Sequence, residues 1–180
     1  MTIAYGHGLA TTPVHFAAAV AALVNGGTKV TPTVLARRTP GAGERLVSAQ
    51  TSASMRDLLR LNVTSPQGTG RRAEVAGYRV GGKTGTAEMP GKGGYQRKAV
   101  ISSFVGAFPM DAPRFLTFVS IFEPRASEET KGQITAGLNA APVTGRVIAR
   151  VAPLLDVLPE RVAQEAGAGE RIDAAAKAKY

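Results

Sequence analysis

The sequence has no cysteine and no tryptophan, and its only histidines are His7 and His15. Without cysteine there are no disulfide bonds, thiolate zinc sites or cysteine nucleophiles, although any redox compartment remains possible. The two histidines have no cluster of acidic residues beside them in the sequence, so we predict no metal site. We also expect no cofactor.

Long apolar runs are missing as well. The segment from Phe16 to Val24 is rich in alanine and too short to span a bilayer, and the N-terminus lacks the basic region that begins a signal peptide. We therefore expect neither an anchor nor an export signal in this chain. Because 44% of its 180 residues are hydrophobic and 19% are charged, the chain can still bury the core of one domain.

Acidic residues are scarce: there are 13, against 22 lysines and arginines, which gives a formal net charge of +9. Much of the excess lies between Arg71 and Lys98, where cations outnumber Glu74 and Glu88. Such a cluster favours a carboxylate or phosphate ligand, although most of these residues would also suit a solvated basic face. Neither interleaved aromatic residues nor zinc-ligand spacing accompanies the charge, so we do not expect nucleic acid as a partner.

The apolar periodicity predicts three helices. Thr12 and Pro13 are typical of an N-cap and a first helical position, and Gly26 and Gly27 end that helix. The third helix is predicted to begin near Pro142 and to kink at Pro153. The second helix has the following residues on one side: Met55, Leu58, Leu59, Asn62 and Val63.

Strands are predicted between the second and third helices. Ala99 to Pro109 and Phe115 to Glu123 are apolar on both faces, which indicates strands buried between layers, and their short connection predicts an antiparallel hairpin. An extended segment is also predicted from Lys29 to Arg37, followed by a loop from Thr39 to Arg45. We expect residues 1–158 to form one structural unit and residues 159–180 to be a flexible, Ala-rich, charged tail.

A glycine-rich segment satisfies two motifs at once. From Gly77 to Thr84 it fits G-x-x-x-x-G-K-[ST], the P-loop that surrounds a phosphate. A P-loop needs a strand before it and a helix after it, and the prolines and glycines that follow Thr84 disfavour a helix. The segment Leu116 to Phe122, followed by Glu123, does resemble the second nucleotide-binding motif, so nucleotide binding is kept as an alternative.

The other interpretation places Lys83 to Thr86 on an exposed edge strand beside a cleft. Alternation would then direct Lys83 and Gly85 to one side and Thr84 and Thr86 to the other. Threonine hydroxyls with an ammonium can bind a carboxylate, and Gly85 would let a ligand approach closely. Free edge N–H groups can bind an extended peptide or serve an oxyanion hole. On this chemistry alone, a glycine-rich hairpin without a ligand fits equally well.

The order of motifs along the chain resembles the C-terminal part of class B penicillin-binding proteins, especially cell-division transpeptidases. The resemblance covers about Ile3 to Pro159 and implies an α/β fold of the α+β type, with an antiparallel sheet flanked by helices. This would be a partial penicillin-binding transpeptidase or serine β-lactamase-like fold. The matching segments are Tyr5 to Leu9, Thr12-Pro13, Asn25 to Gly27, Gly77 to Val80, Lys83 to Ala87, Gly106 to Pro109 and Ala140 to Val143.

The resemblance also implies a reaction and a site. In that family a serine attacks the D-Ala-D-Ala bond of a peptidoglycan stem peptide, and β-lactams acylate the same serine. By position, Lys83 and Thr86 would be catalytic, the first as an electrostatic partner of the proton-shuttling residues and the second through an oxyanion-hole amide. Thr84, Gly85 and Thr86 would bind the substrate, with the two threonines holding its carboxylate. The parent protein would work at the periplasmic face of the bacterial inner membrane.

Two motifs of that family are missing. No serine in the chain is followed by lysine three residues later, and none by asparagine two residues later. We therefore expect a truncated half of a transpeptidase domain, inactive alone, whose first partner is the missing N-terminal half. Its uncovered sheet would favour homodimers or contacts with division proteins, and a non-catalytic peptide- or protein-binding module of the division machinery is the alternative. Ile134 and Thr135 stand where division transpeptidases often carry aromatic residues.

Overall fold

Three helices and an antiparallel three-stranded sheet make up the part of the chain described by the computed structural model, residues 9–35, 43–91 and 94–160. Short 3₁₀ turns at Arg71–Ala73 and Pro153–Leu155 complete the described secondary structure. His7, most of the predicted loop at 39–45 and residues 161–180 of the predicted tail lie outside the described residues. The elements in chain order are α1 (Pro13–Val24), α2 (Ala49–Thr64), β1 (Gly81–Gly91), β2 (Gly94–Phe108), β3 (Phe115–Phe122) and α3 (Ala140–Val151).

The sheet has the order β1-β2-β3, with both pairs antiparallel. Gly81 lies opposite Ala107 in the first pair, and the register continues to Glu88, where a bulge shifts it. The predicted hairpin between β2 and β3 is confirmed, as is the edge position of the segment Lys83 to Thr86. The fold class predicted from the resemblance is likewise confirmed.

Helices cover both faces of the sheet. On one face Phe104 and Phe108 pack in the main core with α3 residues such as Ile148, and all three side chains are fully buried. On the other face Ala107 joins a smaller cluster with Val24 of α1, and half-buried Leu59 of α2 packs against it. Burying a phenylalanine such as Phe104 stabilises the fold by about 1.5–3 kcal/mol.

Helix α2 lies beside the edge strand β1 and contacts both hydrophobic clusters, the main core and the smaller one. Its Val63 belongs to the main core, whereas its Leu59 packs against the smaller cluster. The helix begins at the side-chain cap of Ser48, whose Oγ accepts the Thr51 N–H, and ends at Thr64, two residues before Pro66. The first helix follows its prediction too, since the Thr12 side chain caps it and accepts a hydrogen bond from the His15 N–H.

The described part of the extended segment from Lys29 belongs to no strand: beside it Thr28 forms an isolated bridge to Arg45, and Pro32 lacks an N–H for a ladder. Two details of the predicted elements are wrong. The third helix begins at Ala140 and ends at Val151 instead of kinking at Pro153, since a proline cannot donate to the carbonyl four residues back. Strand β3 is half-buried along most of its length, because its outer edge pairs with no further described strand.

Within the described ranges, every helix is too short or too polar to cross a membrane.

Candidate active site

The residues Lys83 to Thr86 occupy the uncovered part of the β1 edge. Helix α2 covers the beginning of this edge: Asn62 Nδ2 donates to the Gly82 carbonyl over 2.7 Å, and Arg60 Nη1 donates to the Val80 carbonyl over 2.6 Å. Alternate residues of an antiparallel strand direct both backbone groups the same way. Since the Gly82 carbonyl faces away from β2, the N–H and C=O groups of Thr84 and Thr86 face outward as well.

The edge separates two cavities. Lys83 and Gly85 line an apolar cavity of about 550 Å³ between the sheet and helices α1 and α2, together with residues such as Phe118. Thr84 and Thr86 line a polar cleft of about 650 Å³ on the other side of the strand. Side chains therefore alternate along β1 as the sequence predicts, although Thr84 also reaches the rim of the apolar cavity.

Hydrogen bonds connect the hydroxyl groups of the edge to residues distant in sequence. The Thr84 Oγ1 atom lies 2.7 Å from Thr69 Oγ1, while Thr86 Oγ1 accepts the Ala136 N–H over 3.1 Å. Lys83 Nζ donates to the Thr84 carbonyl over 2.8 Å and lies 3.4 Å from Thr84 Oγ1. Thr84 is half-buried, whereas Lys83 and Thr86 are exposed. The ammonium and the Thr84 hydroxyl thus lie close together, while the Thr86 hydroxyl is bonded to the turn before α3.

Gly85 and Gly82 differ in what surrounds them. A Cβ atom built on Gly85 would have no heavy atom within 4 Å, so this position faces open space. A Cβ atom on Gly82 would lie 2.4 Å from the Val105 carbonyl oxygen and 2.5 Å from a ring carbon of Phe104. Gly82 therefore serves packing, while the space at Gly85 is open to a ligand.

The basic segment contributes to the site only in part. Arg71 and Arg72 line the polar cleft together with Thr84 and Thr86. The loop that precedes α3 completes the lining with Thr135, Ala136 and Gly137. Arg79 lies elsewhere, with Nε 3.7 Å from Asp111 Oδ1 and 3.6 Å from a Glu160 carboxylate oxygen. Each arginine of the cleft also donates from Nη1 to a backbone carbonyl over 3.2 Å, Arg71 to Pro66 and Arg72 to Glu129. The cleft thus combines two arginines with threonine hydroxyls, a composition that suits a carboxylate.

The P-loop arrangement is not formed. Thr84 is followed by strand rather than helix, since β1 continues to Gly91 and pairs antiparallel with β2. The segment that resembled the second nucleotide-binding motif is β3, which is also antiparallel to its neighbour.

Among the described residues, no three metal-binding side chains lie close enough together to hold an ion.

Sequence reasoning did not single out three residues of this site: Asn62, Thr69 and Ala136. Asn62 had a signal, because it is a polar residue on the apolar side of α2. Thr69 and Ala136 had none, since each reaches β1 only through contacts between residues far apart in sequence.

Comparison with known proteins identifies the family. The profile described as "Penicillin binding protein transpeptidase domain" matches residues 1–144. A probable peptidoglycan D,D-transpeptidase FtsI of Caulobacter vibrioides is 39% identical over 163 residues, which is 85% of this chain and 28% of that protein.

Solved structures give the same result. The apo transpeptidase domain of Burkholderia pseudomallei penicillin-binding protein 3 superimposes with a TM-score of 0.76 and 36% identity, over 88% of this chain and 46% of that one. Penicillin-binding protein 3 of Mycobacterium tuberculosis, complexed with ampicillin, has a TM-score of 0.71 and 27% identity, over 84% of this chain and 36% of that one. This chain therefore spans less than half of each of these relatives. The profile match and the shared fold show that the chain belongs to the penicillin-binding protein transpeptidase family.

Proposed function

We propose that this chain forms one wall of the acyl-transfer site of a peptidoglycan D,D-transpeptidase that acts in septal cell-wall synthesis. The observation that carries the proposal is the open edge at Lys83 to Thr86. It presents an ammonium, an exposed hydroxyl and outward N–H groups between two cavities. Membership of the transpeptidase family supports this assignment of the edge.

Each group on the edge has a chemical task in this proposal. The edge binds the terminal carboxylate of a stem peptide through the Thr86 hydroxyl and the outward N–H of Thr84, and open space at Gly85 admits its backbone. The outward N–H of Thr86 stabilises the oxyanion of the tetrahedral intermediate, and such a donor is worth about 3–4 kcal/mol in a transition state. Lys83 lowers the energy of negative charge that develops near the nucleophile.

The nucleophile comes from another polypeptide segment in this proposal. That segment packs in the apolar cavity beside Lys83. The cavity is lined mainly by apolar side chains, which the segment can cover, and it places the Lys83 ammonium next to the nucleophile. The parent protein then works at the periplasmic face of the inner membrane, where stem peptides and β-lactams are accessible. Alone, this chain does not form an acyl-enzyme.

The test is labelling with a fluorescent penicillin followed by denaturing electrophoresis. We expect no labelled band from this chain alone, and a labelled serine-bearing partner when the remaining part of the Burkholderia transpeptidase domain is co-purified with it. Lys83→Met should abolish that label, whereas Lys29→Met, at an exposed lysine of a distant loop, should retain it. Label on this chain alone, or an undiminished label with Lys83→Met in the co-purified complex, would contradict the proposal.

A second candidate function is peptide binding without turnover, as a module of the division machinery. It is favoured by the polar cleft, whose threonines and arginines all come from the described part of this chain and need no nucleophile. Isothermal titration with a peptide that ends in D-Ala-D-Ala tests it, with the C-terminal amide of the same peptide as control. Equal binding of the acid and the amide would contradict carboxylate recognition.

A further inference from the structure

The direction of the hydrogen bonds around Asn62 is determined by two backbone groups. Asn62 Nδ2 lies 2.7 Å from the Gly82 carbonyl, which can only accept, and Oδ1 lies 3.2 Å from the Thr69 N–H, which can only donate. The amide of Asn62 therefore has a single orientation that satisfies both partners. Its Oδ1 atom is an acceptor toward Thr69.

This orientation determines the direction of the next two bonds. The Thr69 hydroxyl lies 3.1 Å from Asn62 Oδ1 and must donate its single proton there. In the 2.7 Å contact between Thr69 and Thr84, the proton consequently comes from Thr84. The Thr84 oxygen then has only acceptor capacity left, and the nearest donor is Lys83 Nζ at 3.4 Å.

Thr86 has the opposite arrangement. Its oxygen accepts the Ala136 N–H, a backbone donor whose direction is equally certain. In the described part of the chain this is the only hydrogen bond recorded for the Thr86 hydroxyl, and the side chain is exposed at the polar cleft. Its proton is therefore free to be donated to a ligand.

We propose that Asn62 and Thr69 are positioning residues that divide the work of the two edge threonines. They hold the Thr84 proton in the hydrogen bond to Thr69, so that Thr84 accepts from Lys83 and orients the ammonium, and Thr86 alone donates a hydroxyl proton to the carboxylate of a ligand. This division deepens the proposed function, since its second half rests on a carboxylate-ended substrate at this edge.

The first arm of the test needs no ligand. Exchange of threonine hydroxyl protons with water, read by NMR from isotope shifts of the Cβ signals in mixed H₂O and D₂O, should show Thr69 and Thr84 protected and Thr86 unprotected. Thr69→Val keeps the side-chain shape but removes the hydroxyl, so Thr84 should lose its protection, whereas Thr69→Ser should retain it. An unprotected Thr84 hydroxyl in the unmodified chain, or one that stays protected in Thr69→Val, would overturn the relay.

The second arm measures affinity for a peptide that ends in D-Ala-D-Ala. Thr86→Val should weaken binding about tenfold or more, because a hydrogen bond to a charged group is lost. Thr84→Val should change it less than about threefold by the same scale, because its proton is committed internally. Equal losses would overturn the division of work. Absence of any binding in the unmodified chain would refute the carboxylate site, while the first arm would still decide the relay.

Discussion

Two glycines of the same edge strand, Gly82 and Gly85, should respond in opposite ways to an added methyl group. Gly85→Ala places a Cβ where no heavy atom lies within 4 Å, and neither glycine has a positive φ angle. Gly82→Ala places a Cβ 2.4 Å from the Val105 carbonyl oxygen and 2.5 Å from the ring of Phe104. Real Cβ atoms do not approach so closely, so β2 or the ring must move.

The magnitude follows from what would have to move. Phe104 is fully buried in the main core and the Val105 carbonyl belongs to the central strand, so neither can yield cheaply. Overpacking of a core costs about 1–3 kcal/mol, and we expect Gly82→Ala near the upper end. Gly85→Ala should instead gain about 0.5–1 kcal/mol, because alanine loses less backbone entropy on folding than glycine. The two variants should then differ by about 3–4 kcal/mol, or roughly 6–16 °C in melting temperature.

Urea unfolding followed by circular dichroism measures this difference directly. An unchanged slope with urea would show that stability, rather than compactness, has changed. Adding Phe104→Leu to Gly82→Ala removes the ring carbons nearest the new methyl group, so the double variant should lose less than the sum of the single losses. The packing argument is refuted if Gly82→Ala is as stable as the unmodified chain, or if Gly85→Ala is destabilised to the same extent.

Two further pairs of variants test the polar contacts of the sheet. Ser102→Ala should raise the free energy of unfolding by about 1 kcal/mol, because the buried Ser102 hydroxyl has no hydrogen-bond partner among the described residues. Ser103→Ala should lower the free energy of unfolding by a similar amount, because it removes the 2.8 Å hydrogen bond to the facing serine of β3. Arg60→Met should lower the free energy of unfolding by about 1–3 kcal/mol, because it leaves the carbonyl of the fully buried Val80 without its donor. Arg56→Met should lower it less, because the carbonyl that Arg56 contacts, that of Asp111, is exposed and can bind water instead. If both members of a pair change the free energy of unfolding by the same amount, as measured by equilibrium unfolding, the reasoning for that pair is contradicted.

Local signals account for most of the fold that the sequence predicts. Thr12 and Pro13 begin α1 through contacts within one helical turn, and the apolar runs of β2 and β3 with their short connection determine the hairpin. The extended segment from Lys29 shows the limit of such signals. It has residues typical of a strand, but no described strand lies beside it to form a ladder.

The candidate site is less predictable than the fold. The motif order draws attention to Lys83 and Thr86, yet nothing local indicates that Asn62 reaches Gly82, or that the N–H of Ala136 reaches Thr86 across 50 residues. Such contacts depend on how α2 and the loop before α3 pack against the sheet, and periodicity carries no information about that packing. The one local signal is that Asn62 is a polar residue on the apolar side of α2, which indicates that its side chain forms a hydrogen bond within the fold.

The contacts that orient the edge threonines all come from α2, the loop after it and the turn before α3. They connect residues of this chain to one another, so the geometry of the proposed carboxylate site does not depend on the segment that would carry the nucleophile. In the proposed function acylation does depend on that segment, because it supplies the activated serine. Binding and chemistry should therefore be separable in this family: a chain like this one should retain selectivity for a peptide acid over its amide while it remains unreactive toward penicillin.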